Sequence, residues 1–296
     1  MRNWYDIQSV AYIVLYVGLI VAQWIGGFSW PMFLGCLFCS IGVQVVHHNH
    51  IHLSIWHNKR LNHLTNLIIS VSTAVPSAMV YGGHLRNHHV HQHGPEDVTR
   101  TYRFGGDHNH LIGYLLHPIQ AYCVLIPKFA AEFLKEWPRR TRFARDLALQ
   151  VVLIGGAWLL LAVIDWQKFL LLVAIPQAFG LHWLLGSNYF QHAHCDDDSD
   201  VNYARNFTGA VNIPWMNIGF HTAHHDHPRA HWSALKKIHQ NECQNTDPRL
   251  CCDSFLLYVV RTFFLAPFVP SCRSESLKRT GTMPDKKTQL ESNANI

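Results

Sequence analysis

The stretch Trp30-Pro31-Met32-Phe33-Leu34-Gly35-Cys36-Leu37-Phe38-Cys39-Ser40-Ile41-Gly42-Val43-Gln44-Val45-Val46-His47-His48-Asn49-His50-Ile51-His52 decides how this chain is read. From Trp30 to Val46 it carries no charge, and its length suits a helix that crosses a bilayer core. Pro31 suits the first position of such a helix. The run then passes without a break into four histidines. Residues 10–28 (VAYIVLYVGLIVAQWIGGF) form a second uncharged run just upstream, joined to it through Ser29. Together they predict a membrane hairpin whose open end presents imidazoles.

The same design recurs downstream. Residues 147–164 and 169–187 are apolar runs separated by the turn Asp165-Trp166-Gln167-Lys168, and the second ends at Asn188 and His192. The expected fold is therefore all-α: an integral membrane four-helix bundle of two hairpins, with interfacial helices and a cytoplasmic His-rich catalytic cap. The membrane domain is expected over residues 1–271, followed by a disordered polar tail over 272–296. Residues 64–82 are long enough to span. However, they lie between two histidine clusters that must share a side if they share a site, and Pro76 interrupts them, so an interfacial or re-entrant helix is expected. Residues 111–137, with Pro118 and Pro127, and residues 254–270, interrupted by Arg261, read as surface-lying amphipathic segments.

Composition agrees. Of 296 residues, 23 are histidine, nearly matching the 24 Lys plus Arg, and only 15% are charged, against about 25% in soluble domains. The formal charge of +5 is modest and sits in connecting segments, which indicates membrane topology and no nucleic-acid partner. The basic side chains Lys59, Arg60, Arg86, Arg100, Arg103, Lys128, Lys135 and the Arg139–Arg145 group lie on the histidine side, and only Lys168 lies opposite. The positive-inside rule then places the active site and both termini in the cytoplasm of a multi-pass protein. Such charge would also suit an anionic substrate carrier or an acidic redox partner. The eight cysteines, with Cys36 and Cys39 at Cys-x-x-Cys spacing inside the second apolar run, read as reduced thiols.

Histidine is the commonest metal ligand, and here its spacing is informative. His48 and His52 are four apart, on one helix face, and His47-x4-His52 is a second possible pairing. His84-x-x-x-His88-His89 and His221-x-x-His224-His225 repeat the device, and Asn188 and His192 are again four apart. Carboxylates near the clusters, namely Glu96, Asp97, Asp196, Asp197, Asp198 and Asp226, are candidates to orient the rings. Arg205 and Asn206 precede the last cluster as candidate packing residues or substrate contacts. The remaining histidines, among them His50, His93, His227, His231 and His239, are expected to stay off the metal.

These clusters, their order and their placement after the second and fourth spans resemble the membrane fatty acid desaturase superfamily, which includes hydroxylases and ketolases. Its pattern of three histidine boxes is met here over roughly residues 10–240, and Asn188-Tyr189-Phe190-Gln191-His192 resembles the element that acyl desaturases place before the third box. The resemblance implies a centre of two ferrous ions held by His48, His52, His84, His88, His89, His192, His221, His224 and His225, with Asn188 acting through water. No separate acid or base is assigned. It implies O2-dependent desaturation of an acyl chain carried on lipid, CoA or acyl carrier protein. Electrons would come from an external ferredoxin, cytochrome or rubredoxin-type donor. A hydroxylase, ketolase or acetylenase could use the same site. A His-rich metal transporter or sensor is the rival from another class, although transporters place ligands within spans.

Overall fold

The computed structural model describes residues 1–278. Helices α1 (Ile7–Gly26) and α2 (Trp30–His52) form the first hairpin, reversed at Gly27 with φ 94°. Their contact is close because α2 offers Gly42, where an added Cβ would stand 2.2 Å from the Tyr12 ring of α1. The helix α2 does not stop at Val46. It continues through His52, so the first histidine cluster is helical and its four-residue spacing is realised as a shared face.

Helix α3 (Lys59–Thr73) is capped by the Asn58 side chain, which accepts from the Arg60 and Leu61 amides. It ends at Ala74 in the left-handed region, and after Pro76 the chain turns by 95° into α4 (Ser77–His91). The stretch expected to be interfacial or re-entrant is thus a bent pair that returns the chain to the histidines of α2. Helix α5 (Leu111–Glu136) keeps both internal prolines and exposes Ile112, Leu116, Ile119 and Leu134 on its outer side.

The second hairpin is α6 (Arg142–Lys168), a wide π turn (Phe169–Ala174) and α7 (Ile175–His192). As one straight helix its 51 residues would run about 77 Å, far beyond a bilayer core of about 30 Å. Asp165 breaks it with non-helical backbone (φ −159°, ψ 97°), and its carboxylate accepts from the Lys168 amide. The limbs then fold together, with Trp158 Nε1 donating to Gln177 Oε1 at 2.9 Å. Among the described residues three helical stretches are long and apolar enough to cross a membrane, or four if the bent pair is one span. The outer faces of α1 and α6 leave Val14, Ile25, Val152, Leu159 and Val163 exposed, a surface suited to lipid rather than water.

The described residues after α7 form one short strand pair and short helices. Strands β1 (Asn206–Phe207) and β2 (Cys251–Cys252) pair in parallel, and α8 (His221–Asp226), α9 (Leu235–Glu242) and α10 (Phe255–Leu265) lie among and after them. All eight cysteines are free. The tail expected to be disordered from residue 272 is packed for its first residues. The Leu277 amide bonds His194 O, and Lys278 Nζ bonds Asp197 and Tyr102, so an ion pair and backbone bonds hold what composition alone read as free. Residues 279–296 of that expectation lie outside the described residues.

Candidate metal centre

Four elements deliver the imidazoles. The end of α2 supplies His48 and His52, α4 supplies His84, His88 and His89, the end of α7 supplies His192, and α8 supplies His221, His224 and His225. Eight of these nine fall into two groups of four, whose ligand atoms lie within 4.8 Å of one another. One group is His48, His52, His84 and His224, and the other is His88, His192, His221 and His225. His89 stands between them. Its Nε2 is 3.1 Å from both His84 Nε2 and His224 Nε2, and its ring stacks on His225.

Local structure explains the split. His221 and His225 are four apart on α8 and face one group, while His224 turns to the other. His84 and His89 are five apart, which in an α-helix would put them about 140° from each other. The segment Tyr81–His88 is a π turn, whose wider winding brings positions five apart onto one side. His47 is not in either group. Its Nε2 lies 2.8 Å from Ser77 Oγ and its Nδ1 3.2 Å from Thr73 Oγ1, so it ties α2 to the bent pair. His50 instead accepts from the Ile55 amide. His93 stacks on His192 with ring centroids 5.0 Å apart and accepts from the Thr101 amide, so it braces a ring of the site without joining a group.

The rings are oriented from behind. His52 Nδ1 donates to Pro228 O at 2.8 Å, His192 Nδ1 to Tyr203 O at 2.9 Å, and His88 Nδ1 to Asp97 Oδ2 at 2.6 Å. Each acceptor is an oxygen without a proton, so the hydrogen sits on Nδ1 and the Nε2 lone pair points into the group. Of the six nearby carboxylates, Asp97 bonds a ring of the two groups. It is fully buried and also accepts from the His93 and Thr99 amides. Asp226 accepts from Tyr203 OH, and Asp197 is occupied by Tyr102 and Lys278.

The approach to the third box is set by two residues that the sequence left open. Asn206 brackets Thr222, donating to its hydroxyl at 2.8 Å and accepting from its amide at 3.0 Å. Arg205 holds the end of α7, donating to Phe190 O and Ala193 O on either side of His192. Both are therefore packing residues of the site. Gly219, just ahead of α8, lies where a Cβ would come 2.2 Å from Phe207 O, so only glycine fits the crossing of the two segments.

The donor set fits a pair of metal ions. The Nε2 atoms of His52 and His88 are buried and bond no protein atom among the described residues. The pairs His192–His221 and His221–His225 have Nε2 atoms 3.0 and 3.1 Å apart, the edge of a coordination shell with metal–nitrogen bonds of about 2.1 Å. Burial first, and then neighbouring imidazoles, push His221, His224 and His225 well below the usual histidine value. Their lone pairs are thus free at neutral pH. Burial alone would raise the Asp97 carboxyl, but His88 beside it holds it well below the usual carboxylate range. One buried carboxylate therefore offsets part of the positive charge that two ions would bring.

Among the described residues Asn188 hydrogen-bonds neither group. Its amide donates to Thr99 O at 2.7 Å, and the residue lines a cavity that reaches His48, His84 and His221. The walls of that cavity are Val75, Met79, Val80, Leu125, Phe129, Leu181, Leu184, Leu185 and Ile218, an apolar lining contributed largely by α4, α5 and α7.

Apolar membrane-length helices carrying two buried histidine groups define a membrane metalloprotein with an apolar approach to its centre. The sequence pattern of the fatty acid desaturase family matches residues 22–251, and the chain belongs to that family. No curated protein and no solved structure matches it.

Proposed function

We propose that this chain is an O2-dependent fatty acyl desaturase that converts a –CH2–CH2– unit of an acyl chain into a C=C bond. The observation that carries this reading is the apolar cavity ending on His48, His84 and His221. An unbranched hydrocarbon needs such a lining to leave water. In this reading His48, His52, His84, His88, His89, His192, His221, His224 and His225 hold two ferrous ions, and Asn188 acts through a water. The ions, when bound, supply the activation of O2 that breaking an unactivated C–H bond demands. The protein supplies position and dryness. Leu181, Leu184 and Leu185 on one wall and Met79 and Val80 on the other confine the methylenes, while Thr99 and Asn188 are polar groups at the metal end. Overall, O2, two electrons, two protons and two substrate hydrogens become two waters and the double bond. The electrons come from a separate carrier of ferredoxin, cytochrome or rubredoxin type, and the acyl chain arrives on lipid, CoA or acyl carrier protein. The two hairpins cross the bilayer four times, with the histidine cap and both termini on the cytoplasmic face, as the excess of Lys and Arg on that side supports.

The test is acyl-chain profiling of a host with and without the gene, beside iron analysis of the purified protein. New unsaturation and about two irons per chain, both lost in His224→Ala, are expected. New hydroxyl or keto groups would move the assignment to a hydroxylase or ketolase of the same site. Stoichiometric zinc without an O2-dependent product would remove the enzymatic reading altogether.

A further inference from the structure

The site has a second approach, which shares no lining residue with the acyl cavity. A small cleft lined by Asn49, His52, Leu53, His224, Ala230 and Trp232 reaches two imidazoles of one histidine group. The ring anchors differ in the same sense. His88 and His192 are held by Asp97 and the Tyr203 carbonyl, both on buried residues. His52 is held by the Pro228 carbonyl, one peptide from exposed Arg229. A single hydrogen bond thus separates the protein surface from a ring of the centre.

The surface around this point is basic. Arg229 adjoins Ala230 of the cleft, and exposed Lys236 and Lys237 follow its Leu235. Arg2, whose amide and guanidinium bond the Ile55 and Trp56 carbonyls, lies beside the segment that continues into exposed Lys59 and Arg60. Among the described residues none of these six is in an ion pair, whereas the nearby carboxylates are engaged. Glu242 pairs with His227, Asp6 with His231, and Asp226 accepts from Tyr203. The free charge is therefore of one sign and adjoins the Pro228–His52 hydrogen bond that leads inward.

We propose that Arg229, Lys236 and Lys237, with Arg2, Lys59 and Arg60 around them, form the docking surface for an acidic one-electron carrier that delivers electrons through the Pro228–His52 contact. This rests on the reading of the chain as an O2-dependent oxidoreductase, which needs two external electrons per turnover. Each electron enters singly from a reduced carrier, which leaves oxidised, and no proton or group is exchanged at the surface. A protein carrier is favoured over an anionic membrane because the charges surround an opening to the centre, where a bilayer surface would serve no transfer.

The test uses the full chain in detergent and a soluble acidic [2Fe–2S] ferredoxin as probe. Binding is measured by biolayer interferometry, and contacts are mapped by zero-length carboxyl–amine crosslinking. Wild-type affinity should weaken on the order of tenfold between 50 and 300 mM salt. The triple variant R229E/K236E/K237E should lose about as much at low salt, and crosslinks should fall on Lys236 and Lys237. Reversing Arg140 and Arg142 instead should change nothing, and dithionite should still reduce the iron-loaded triple variant at the wild-type rate. Unchanged ferredoxin affinity in the triple variant, or crosslinks confined to Lys128 and Lys135, would overturn the assignment. So would loss of binding to anionic vesicles with ferredoxin binding intact, since the surface would then serve the membrane. Because binding and crosslinking need no iron, they fail or succeed independently of the acyl-profiling result.

Discussion

His47 and His48 are adjacent on α2, yet their rings serve different partners. His48 joins the first histidine group, while His47 bonds Ser77 and Thr73. The sequence favours His48 and leaves His47 open, since only the four-residue spacing keeps His48 and His52 on one helix face, with a ring one position earlier pointing about 100° away. The two should separate cleanly on substitution. His48→Ala should lose iron at little structural cost, whereas His47→Ala should keep iron but lower stability by about 1–3 kcal/mol, by opening a cavity at a fully buried position and removing two hydrogen bonds. Metal analysis and thermal unfolding of both proteins read the difference, and equal iron loss would contradict it. Asp97 belongs to the same scale. Six acidic residues near the boxes are candidates from the sequence, the Asp196–Asp198 run the weaker because such runs more often form solvated loops, and only packing selects the one that reaches a ring. Asp97→Asn keeps its shape but weakens its hold on the His88 proton, so iron affinity should fall on the order of 10- to 100-fold, read by competition with a chelator. The backbone carbonyls of Pro228 and Tyr203 do the same work and could not have been found, since a main-chain acceptor carries no residue identity.

At the scale of elements, the apolar runs were readable, while the ends of their helices and their local windings were not. Length and the absence of charge identify α1, α2 and the α6–α7 hairpin, and Asp165 breaks the last where the polar turn was expected. Nothing in Tyr81–His88 signals a π turn, because no residue type is required by its bonding pattern. Yet that turn is what brings His89 to the side of His84. The interfacial or re-entrant path expected for residues 64–82 rests on a constraint on its neighbours as well as on Pro76, and the structure bends the chain there by 95°, between Ala74 and Ser77. Gly219 gives the element-scale test. A Cβ there would meet Phe207 O at 2.2 Å and Asn212 Oδ1 at 2.7 Å, whereas Gly18 on α1 has open space. Gly219→Ala should therefore cost about 1–3 kcal/mol and displace α8, with iron retention falling alongside. Gly18→Ala should be neutral or slightly stabilising. Similar unfolding midpoints for the two variants would show that the entry to the third box is not rigid.

At the scale of the molecule, the fold buries a large number of neutral imidazoles in one place, and this fixes how stability must respond to acid. In the folded chain His221, His224 and His225 are held well below their ordinary value by burial and by one another. In the unfolded chain each titrates near about 6.5. Between those limits the unfolded state binds protons that the folded state refuses, so stability rises with pH there and is lost as pH falls through about 6.5. Asp97 acts in the same direction, because its folded value is depressed and its contribution disappears on protonation. The three rings of α8 alone set a limiting slope of about 4 kcal/mol per pH unit once all three are protonated in the unfolded chain. The metal-free protein should accordingly unfold at steadily lower temperature from pH 7 to pH 5.5, with little change from pH 8 to pH 7. The iron-loaded protein should start higher, since ligands bound only in the fold stabilise it, and should release metal across the same acidic interval as protons compete for nitrogen. Replacing His224 with Gln should flatten the metal-free curve by roughly one proton's worth, about 1.4 kcal/mol per unit. An unfolding midpoint of the metal-free protein that stays constant from pH 8 to 5.5 would mean that these rings already accept protons in the fold, and the two-group arrangement would then lack the free nitrogen lone pairs on which metal binding depends.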